Sequence, residues 1–422
     1  MNLINKYKND GFSNAVITLI SGSLLAQVIT MLAAPLLTRI YSPKELGVYA
    51  LILTAESLFG SIICGRYDVS IVSEPSKNKI YPLIKLSLLI TIIFSFVATI
   101  GYGFFYFILK EEYRSYSYAV IFIFIMLVLN GLLRILEAYN NRYKEYKVMS
   151  SVYVLKTSFQ NFGAIMLGYT KFGVLGLLFS HTVGMLAGLR KQSTTLRPHF
   201  KEIWASSMHE MKVVMKNHYR LPLFSAPALF ANRFSYASIF LFIESLFGLA
   251  ILGYYSISYK VLGLPLTVMS NNVAKVFYQE ASREYDETGK FVKSFKRTSS
   301  LLVLIAVPMV IVLYLLAPIA FEIVFGPGWS EAGVYVQILA PMFGIRFIVN
   351  TVAYGLQVVK KQHLELGLQL LFTLGSVCCY VISKLLDFNI NQFLMTLTFV
   401  FSVIYIIYYF SVMKYAFGHY KK

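Results

Sequence analysis

Twelve apolar stretches of about twenty residues follow one another along this chain, and no other feature constrains its fold as tightly. They lie near residues 14–37, 46–72, 83–109, 117–139, 151–170 and 172–190, then near 221–243, 246–271, 299–318, 333–357, 364–386 and 391–413. A helix rises 1.5 Å per residue, so about twenty residues cross a hydrocarbon core about 30 Å thick. Inside that core every backbone donor needs a partner within its own segment, which makes each stretch a helix. The alternating ten-residue segments of a membrane barrel are absent. The chain is 57% hydrophobic and 14% charged, against about 25% charged in soluble proteins. The expected fold class is an all-α polytopic membrane protein with about twelve transmembrane helices.

The net charge of +18 would suggest nucleic acid in a soluble protein. Here the basic residues sit in alternate loops, which excludes that reading and fixes an orientation instead. Twenty-seven lysines and arginines fall in segments on the side of the N-terminus, and six on the other. Both termini are therefore expected in the cytoplasm. The run after the first dozen residues is too long for a signal-peptide core and is expected to be the first helix. Cys64, Cys378 and Cys379 offer neither a disulfide framework nor metal-ligand spacing.

Residues 191–220 form a basic connector with three histidines, His199, His209 and His218, and no paired ligand spacing. It is expected to lie on the inner membrane surface. It separates an N-terminal lobe, 1–190 with helices one to six, from a C-terminal lobe, 221–422 with helices seven to twelve and a cytoplasmic tail. Leu46-Gly47-Val48-Tyr49-Ala50-Leu51 opens the second span. Leu252-Gly253-Tyr254-Tyr255-Ser256-Ile257 opens the eighth, 206 residues later. Two six-helix bundles related as repeats, with the binding site between them, are a transporter plan. Pro35, Pro222, Pro227, Pro265, Pro308, Pro318 and Pro341 fall inside spans, where each can bend its helix.

Five cations lie within the spans: Arg66, Arg134, Arg233, Lys260 and Arg346. A charge at mid-bilayer depth costs about 3 kcal/mol on insertion scales, so it faces a bundle interior or a watery cavity. Arg233, Lys260 and Arg346 sit at mid-depth in spans that contain no acidic residue. Two explanations stand: a hydrated cavity for an anionic substrate, or pairing with acids of other helices such as Glu56 or Asp68. Arg66 and Asp68, two residues apart, point to different helix faces. Arg134 and Glu137 are spaced as a local ion pair. Glu56 and Asp68 are candidates for taking up a proton or sodium ion. A solvated helix end is the competing reading of Asp68. His181 is a candidate for proton uptake near neutral pH, yet a lone span histidine is more often a hydrogen-bonded packing residue. No phosphate loop, catalytic elbow or metal cluster is present, so the chain reads as a transporter, not an enzyme, with no cofactor.

Several blocks carry a family resemblance. PLLTRIYSPKELGVYAL at 35–51, RYDVSIVSEP at 66–75 and HYRLPLFSAPALF at 218–230 resemble bacterial polysaccharide-unit flippases. GYYSISYKVLGLPLTVMSNNVAKVFYQEA at 253–281 and FGPGWSEAGVYVQILAP at 325–341 continue the pattern. The family is the Wzx-type oligosaccharide flippases of the multidrug/oligosaccharidyl-lipid/polysaccharide exporter superfamily. The resemblance implies a V-shaped, two-lobed, alternating-access transporter in the bacterial cytoplasmic (inner) membrane. It implies movement of an undecaprenyl-pyrophosphate-linked oligosaccharide from inner to outer leaflet, for O-antigen, capsule or lipopolysaccharide biosynthesis. The implied partners are that lipid-linked substrate, membrane lipids, a coupling proton or sodium ion, and a polysaccharide polymerase with its chain-length regulator. Arg233, Lys260 and Arg346 are then expected to meet the pyrophosphate, with Arg66 and Arg134 as inner-leaflet contacts. A drug exporter of the same superfamily is the alternative, and it would call for acids rather than cations at mid-depth. A fourteen-span peptidoglycan-precursor flippase and a membrane glycosyltransferase with a large catalytic outer loop fit less well.

Overall fold

The computed structural model describes residues 11–418, and every regular element among them is helical. The expected terminal lysines at 6, 8, 421 and 422 lie outside the described residues. Helices stand in each of the twelve expected stretches, though not always as one piece per stretch.

The first is α1, Gly11–Ile40. The expected span at 46–72 is broken. It becomes α2, Pro43–Gly60, and α3, Tyr67–Ser73, separated by turns at 61–66. Gly65 and Arg66 take positive φ there, 58° and 65°. Left-handed backbone at two consecutive residues cannot continue an α-helix. Then come α4, Ile80–Ala98, prolonged as a π-helix at Thr99–Leu109; α5, Ala119–Arg142; α6, Tyr146–Tyr169; and α7, Val174–Gln192.

The connector holds the short helices α8, Phe200–Ala205, and α9, Met208–Asn217. The expected spans seven and eight run as α10, Ala226–Pro265, with one non-helical residue at Gly248, φ 81°. The amphipathic α11, Asn271–Thr288, leads to α12, Val292–Phe325. The chain ends with α13, Ser330–Val352; the single turn α14, Gly355–Val358; α15, Gln362–Leu385; and α16, Ile390–Ala416.

By length and composition alone, eight helices are apolar enough to cross a membrane, and the 45-residue stretch Leu221–Pro265 spans two of the expected passes. α6 and α7 fall short of that measure because they carry polar side chains into the protein. Lys156 and Gln160 sit on α6, and His181 and Thr182 on α7. The chain is a multi-pass membrane protein. Its lipid-side chemistry is plain on α12, where Leu301, Leu304, Val307, Ile311, Leu315, Ile319 and Ile323 are all exposed.

The chain divides into two compact units, residues 1–41 with 51–233 and residues 42–50 with 234–422. The division falls at residue 233 rather than at the expected 190 and 220, because the connector is tied into the first unit. Lys85 Nζ donates to the carbonyls of Trp204 at 2.9 Å and Ser206 at 2.6 Å. His218 Nε2 lies 2.9 Å from the Glu74 carboxylate. Within the first unit α6 packs on both α1 and α7, and α5 packs on α3, α4 and α7.

In the second unit α13 is the central helix, packed against α12 and α16, with Tyr335, Val336, Leu339 and Phe347 fully buried. The start of α2 belongs to this unit because Gly47 crosses Gly253 at backbone distance. A Cβ on Gly47 would stand 1.8 Å from the Leu249 carbonyl oxygen, and one on Gly253 would stand 1.9 Å from the Pro43 oxygen. Pro43 and Leu249, like Gly47 and Gly253, are 206 residues apart. The repeat read in the sequence thus meets its own counterpart with two-fold reciprocity.

Candidate functional site

Each unit holds a cluster of polar groups in a setting where polar groups are costly. In the first unit the cluster forms around Glu56 on α2. Asn130 Nδ2 on α5 donates to Glu56 Oε1 at 2.9 Å. His181 Nε2 on α7 stands 3.0 Å from Glu56 Oε2. Lys156 on α6 is within electrostatic reach of the same carboxylate. A buried carboxylate needs such partners, since an uncompensated charge there costs several kcal/mol. His181, for which sequence favoured a packing role, is thus the acid's nearest basic neighbour.

Beside this group opens a cavity of about 650 Å³, and Asn130 and Lys156 belong to its wall together with Asp68, Arg134, Glu137 and Asn141. Arg134 Nη1 lies 3.4 Å from Asp68 Oδ2. The local pair expected between Arg134 and Glu137 does not form. Glu137 instead accepts from the Tyr153 hydroxyl at 2.7 Å. Nor is Asp68 a solvated helix end, because only 7% of its surface is exposed. The break in α2–α3 explains both differences. It redirects the chain so that Asp68, one residue into α3, faces α5. Arg142 closes the other end of α3 by donating to the carbonyls of Ile71 at 3.0 Å and Val72 at 3.3 Å. Arg66, at the left-handed turn, donates from Nε to the Ser225 hydroxyl at 3.3 Å.

In the second unit Arg346 on α13 is enclosed by aromatic rings. Its guanidinium carbon lies 4.6 Å from the centre of Tyr236, 5.2 Å from Phe343 and 5.9 Å from Tyr259. Nη1 donates to the Tyr259 hydroxyl at 3.3 Å. The Tyr236 and Tyr405 hydroxyls are 3.4 Å apart. Nε is buried and has no hydrogen-bond partner. Among the described residues, no carboxylate lies within ion-pair distance of Arg346. Stacking on π faces is worth about 2 kcal/mol when desolvated and leaves the edge of the guanidinium for ligands. A planar fork with free donors matches the oxygens of a phosphate or carboxylate.

Lys260, one residue after Tyr259 in α10, and Arg233 on the same helix likewise form no ion pair among the described residues; Arg233 is exposed. Lys260 and Arg346 belong to the second unit, and Arg233 ends the first with Arg66 and Arg134. The five cations thus fall into two environments. Arg134 has an acid partner and Arg66 a hydroxyl, whereas among the described residues no acid lies within ion-pair distance of Arg233, Lys260 or Arg346. Sequence reasoning missed the aromatic enclosure of Arg346, because its members come from α10, α13 and α16, with no linear spacing to join them. It also missed Asn130, Tyr153 and Lys156 as partners of the acids.

The family model described as "Polysaccharide biosynthesis protein" matches residues 36–334. No curated protein matches the sequence. Solved structures do. A lipid II flippase MurJ in an inward closed conformation aligns with TM-score 0.73 at 12% identity, covering 96% of this chain and 90% of that one. A multidrug resistance MATE family transporter of the MOP superfamily, inward-facing, aligns with TM-score 0.67 at 12% identity, over 95% and 98%. A MOP superfamily transporter from Pyrococcus furiosus, described as having reverse polarity of its binding pocket, aligns with TM-score 0.56 at 12% identity, over 100% and 99%. At these identities the likeness is one of fold.

Proposed function

The chain belongs to the polysaccharide biosynthesis protein family, and from that membership we propose that it is a flippase for undecaprenyl-pyrophosphate-linked oligosaccharides. It would carry them from the inner to the outer leaflet of the bacterial cytoplasmic membrane for O-antigen, capsule or a related polymer. The observation that carries the reading is Arg346: a guanidinium held among aromatic rings, with a free Nε donor and, among the described residues, no acid within ion-pair distance. Such a charge is expensive in a membrane protein unless a ligand supplies the anion. The pyrophosphate of a lipid-linked sugar supplies about two negative charges in an oxygen-rich group that suits a planar fork. Lys260 and Arg233 are proposed as further contacts to it, and Arg66 and Arg134 as contacts on the inner-leaflet side. An exporter of organic cations is less well supported, because the two candidate coupling acids of the first unit, Glu56 and Asp68, already have basic partners.

Coupling to a proton or sodium gradient fits Glu56, whose neighbours His181 and Lys156 offer alternative places for positive charge. Asp68 is the second candidate. A polymerase and a chain-length regulator would act on the delivered unit.

The test is complementation. The gene is deleted in its host, lipid-linked sugars are extracted, and the strain is supplied with wild type or Arg346→Ala at equal membrane abundance. Repeat units should accumulate on the carrier and polymer should disappear, with rescue by wild type and not by Arg346→Ala. Continued polymer synthesis without accumulation, in a strain lacking any redundant flippase, would refute the reading.

A further inference from the structure

The second unit contains a cavity of about 140 Å³ that shares two walls with the Arg346 enclosure. Tyr236 and Tyr405 belong to both. The rest of the cavity differs in chemistry from the arginine side. No lysine or arginine lines it. Its polar groups are the Glu365 carboxylate and the carboxamides of Asn350, Gln357 and Gln369, and its remaining walls include the rings of Phe372, Tyr354 and Tyr408. The Gln369 Oε1 atom is buried and accepts no hydrogen bond. A buried acceptor left unpaired is costly, and a polar void that contains one calls for a donor.

We propose that this cavity is a neutral-sugar subsite, which receives the first pyranose ring of the lipid-linked substrate while Arg346 holds the adjoining pyrophosphate. This rests on the flippase reading above and extends it. Three features support it. The space is on the scale of one sugar ring. Aromatic walls suit the C–H face of a pyranose, while one carboxylate and three carboxamides offer acceptors and donors for its hydroxyls. The first sugar is bonded directly to the pyrophosphate, so its subsite must adjoin the phosphate site, and Tyr236 and Tyr405 make that junction. A bare cation would instead demand a compact cage of oxygens, and here aromatic faces occupy much of the wall.

The experiment uses the full chain in lipid nanodiscs and three probes: undecaprenyl pyrophosphate alone, the same carrier bearing one hexose, and the carrier bearing one N-acetylhexosamine. Wild type should bind at least one glycosylated carrier about tenfold more tightly than the bare one, the worth of one or two net hydrogen bonds. Gln369→Leu and, separately, Glu365→Gln should bring that ratio close to one and leave affinity for the bare carrier unchanged. Arg346→Ala should weaken all three probes together. A wild type that prefers neither glycosylated carrier overturns the subsite while leaving carrier transport standing. An unchanged ratio in both variants also overturns it, as does sodium binding that both variants abolish without altering the ratio. A wild type that binds none of the probes removes the flippase reading, and the subsite with it.

Discussion

Replacing Gly253 with alanine tests the helix crossing on which the second unit is built. The new methyl carbon would stand 1.9 Å from the Pro43 carbonyl oxygen, 2.7 Å from its carbon and 3.1 Å from the Gly47 nitrogen. All three are backbone atoms, so no side-chain rotation relieves the contact. The two helices must separate by at least 1.1 Å to bring the shortest contact to 3.0 Å, below which Cβ contacts essentially never occur. Overpacking in a tight core costs about 1–3 kcal/mol, and a clash with rigid backbone belongs at the upper end. Gly47→Ala should cost the same, since its own methyl carbon meets the Leu249 oxygen at 1.8 Å. The two costs are not independent, because one separation relieves both clashes. The double variant should therefore lie within about 1 kcal/mol of the worse single one, a coupling of the size seen for touching residues. Thermal unfolding of the detergent-solubilised protein, followed through a fluorescent fusion, reads this as a fall on the order of 5 °C for each single variant. A single variant that melts with wild type would refute the crossing. A double variant that loses the sum of the two would refute the shared separation.

Arg346→Lys keeps the charge and loses the flat face that stacks on Tyr236 and Phe343, so it should restore polymer only partly where Arg346→Ala restores none; full rescue by lysine would count against the stacked geometry. Glu56→Gln keeps a partner for Asn130 but removes the charge beside His181. Flipping in proteoliposomes should lose its response to an imposed ion gradient while carrier binding persists, and retained stimulation would remove Glu56 from coupling. Asp68→Arg alone should destabilise the first unit, because it places two cations together. Combining it with Arg134→Asp should recover much of the loss in unfolding measurements, and absence of recovery would argue against the pair. The connector should loosen in acid. Glu74 is raised by burial but more strongly held down by hydrogen bonds from His218 and the Ser76 amide and by the charge of Lys79, so its folded-state pKa lies below the unfolded value. Its contribution is complete above about pH 4.3 and is lost as pH falls through the lower folded value. Hydrogen exchange at 200–217 should rise in that window and sooner in His218→Ala; an unchanged profile would refute the tie.

The residues alone establish that this is a helical membrane protein, roughly where its helices run, and where the expensive charges lie. Those properties are local or additive: apolar length, the need for internal backbone pairing and the alternation of loop cations. The residues also show the Leu-Gly repeat, because two similar hexapeptides 206 residues apart are visible without a fold. What they do not determine is who partners whom. Asp68 meets Arg134 rather than staying in solvent because Gly65 and Arg66 turn the chain in a left-handed step between α2 and α3. Glu137 takes Tyr153, and Glu56 takes Asn130 and His181, from three different helices. The rings around Arg346 come from residues as far apart as Tyr236 and Tyr405. Helical periodicity reports only neighbours three or four residues away. Contacts across helices depend on crossing positions, which close approaches such as Gly47 on Gly253 set and which exist only once the helices are packed.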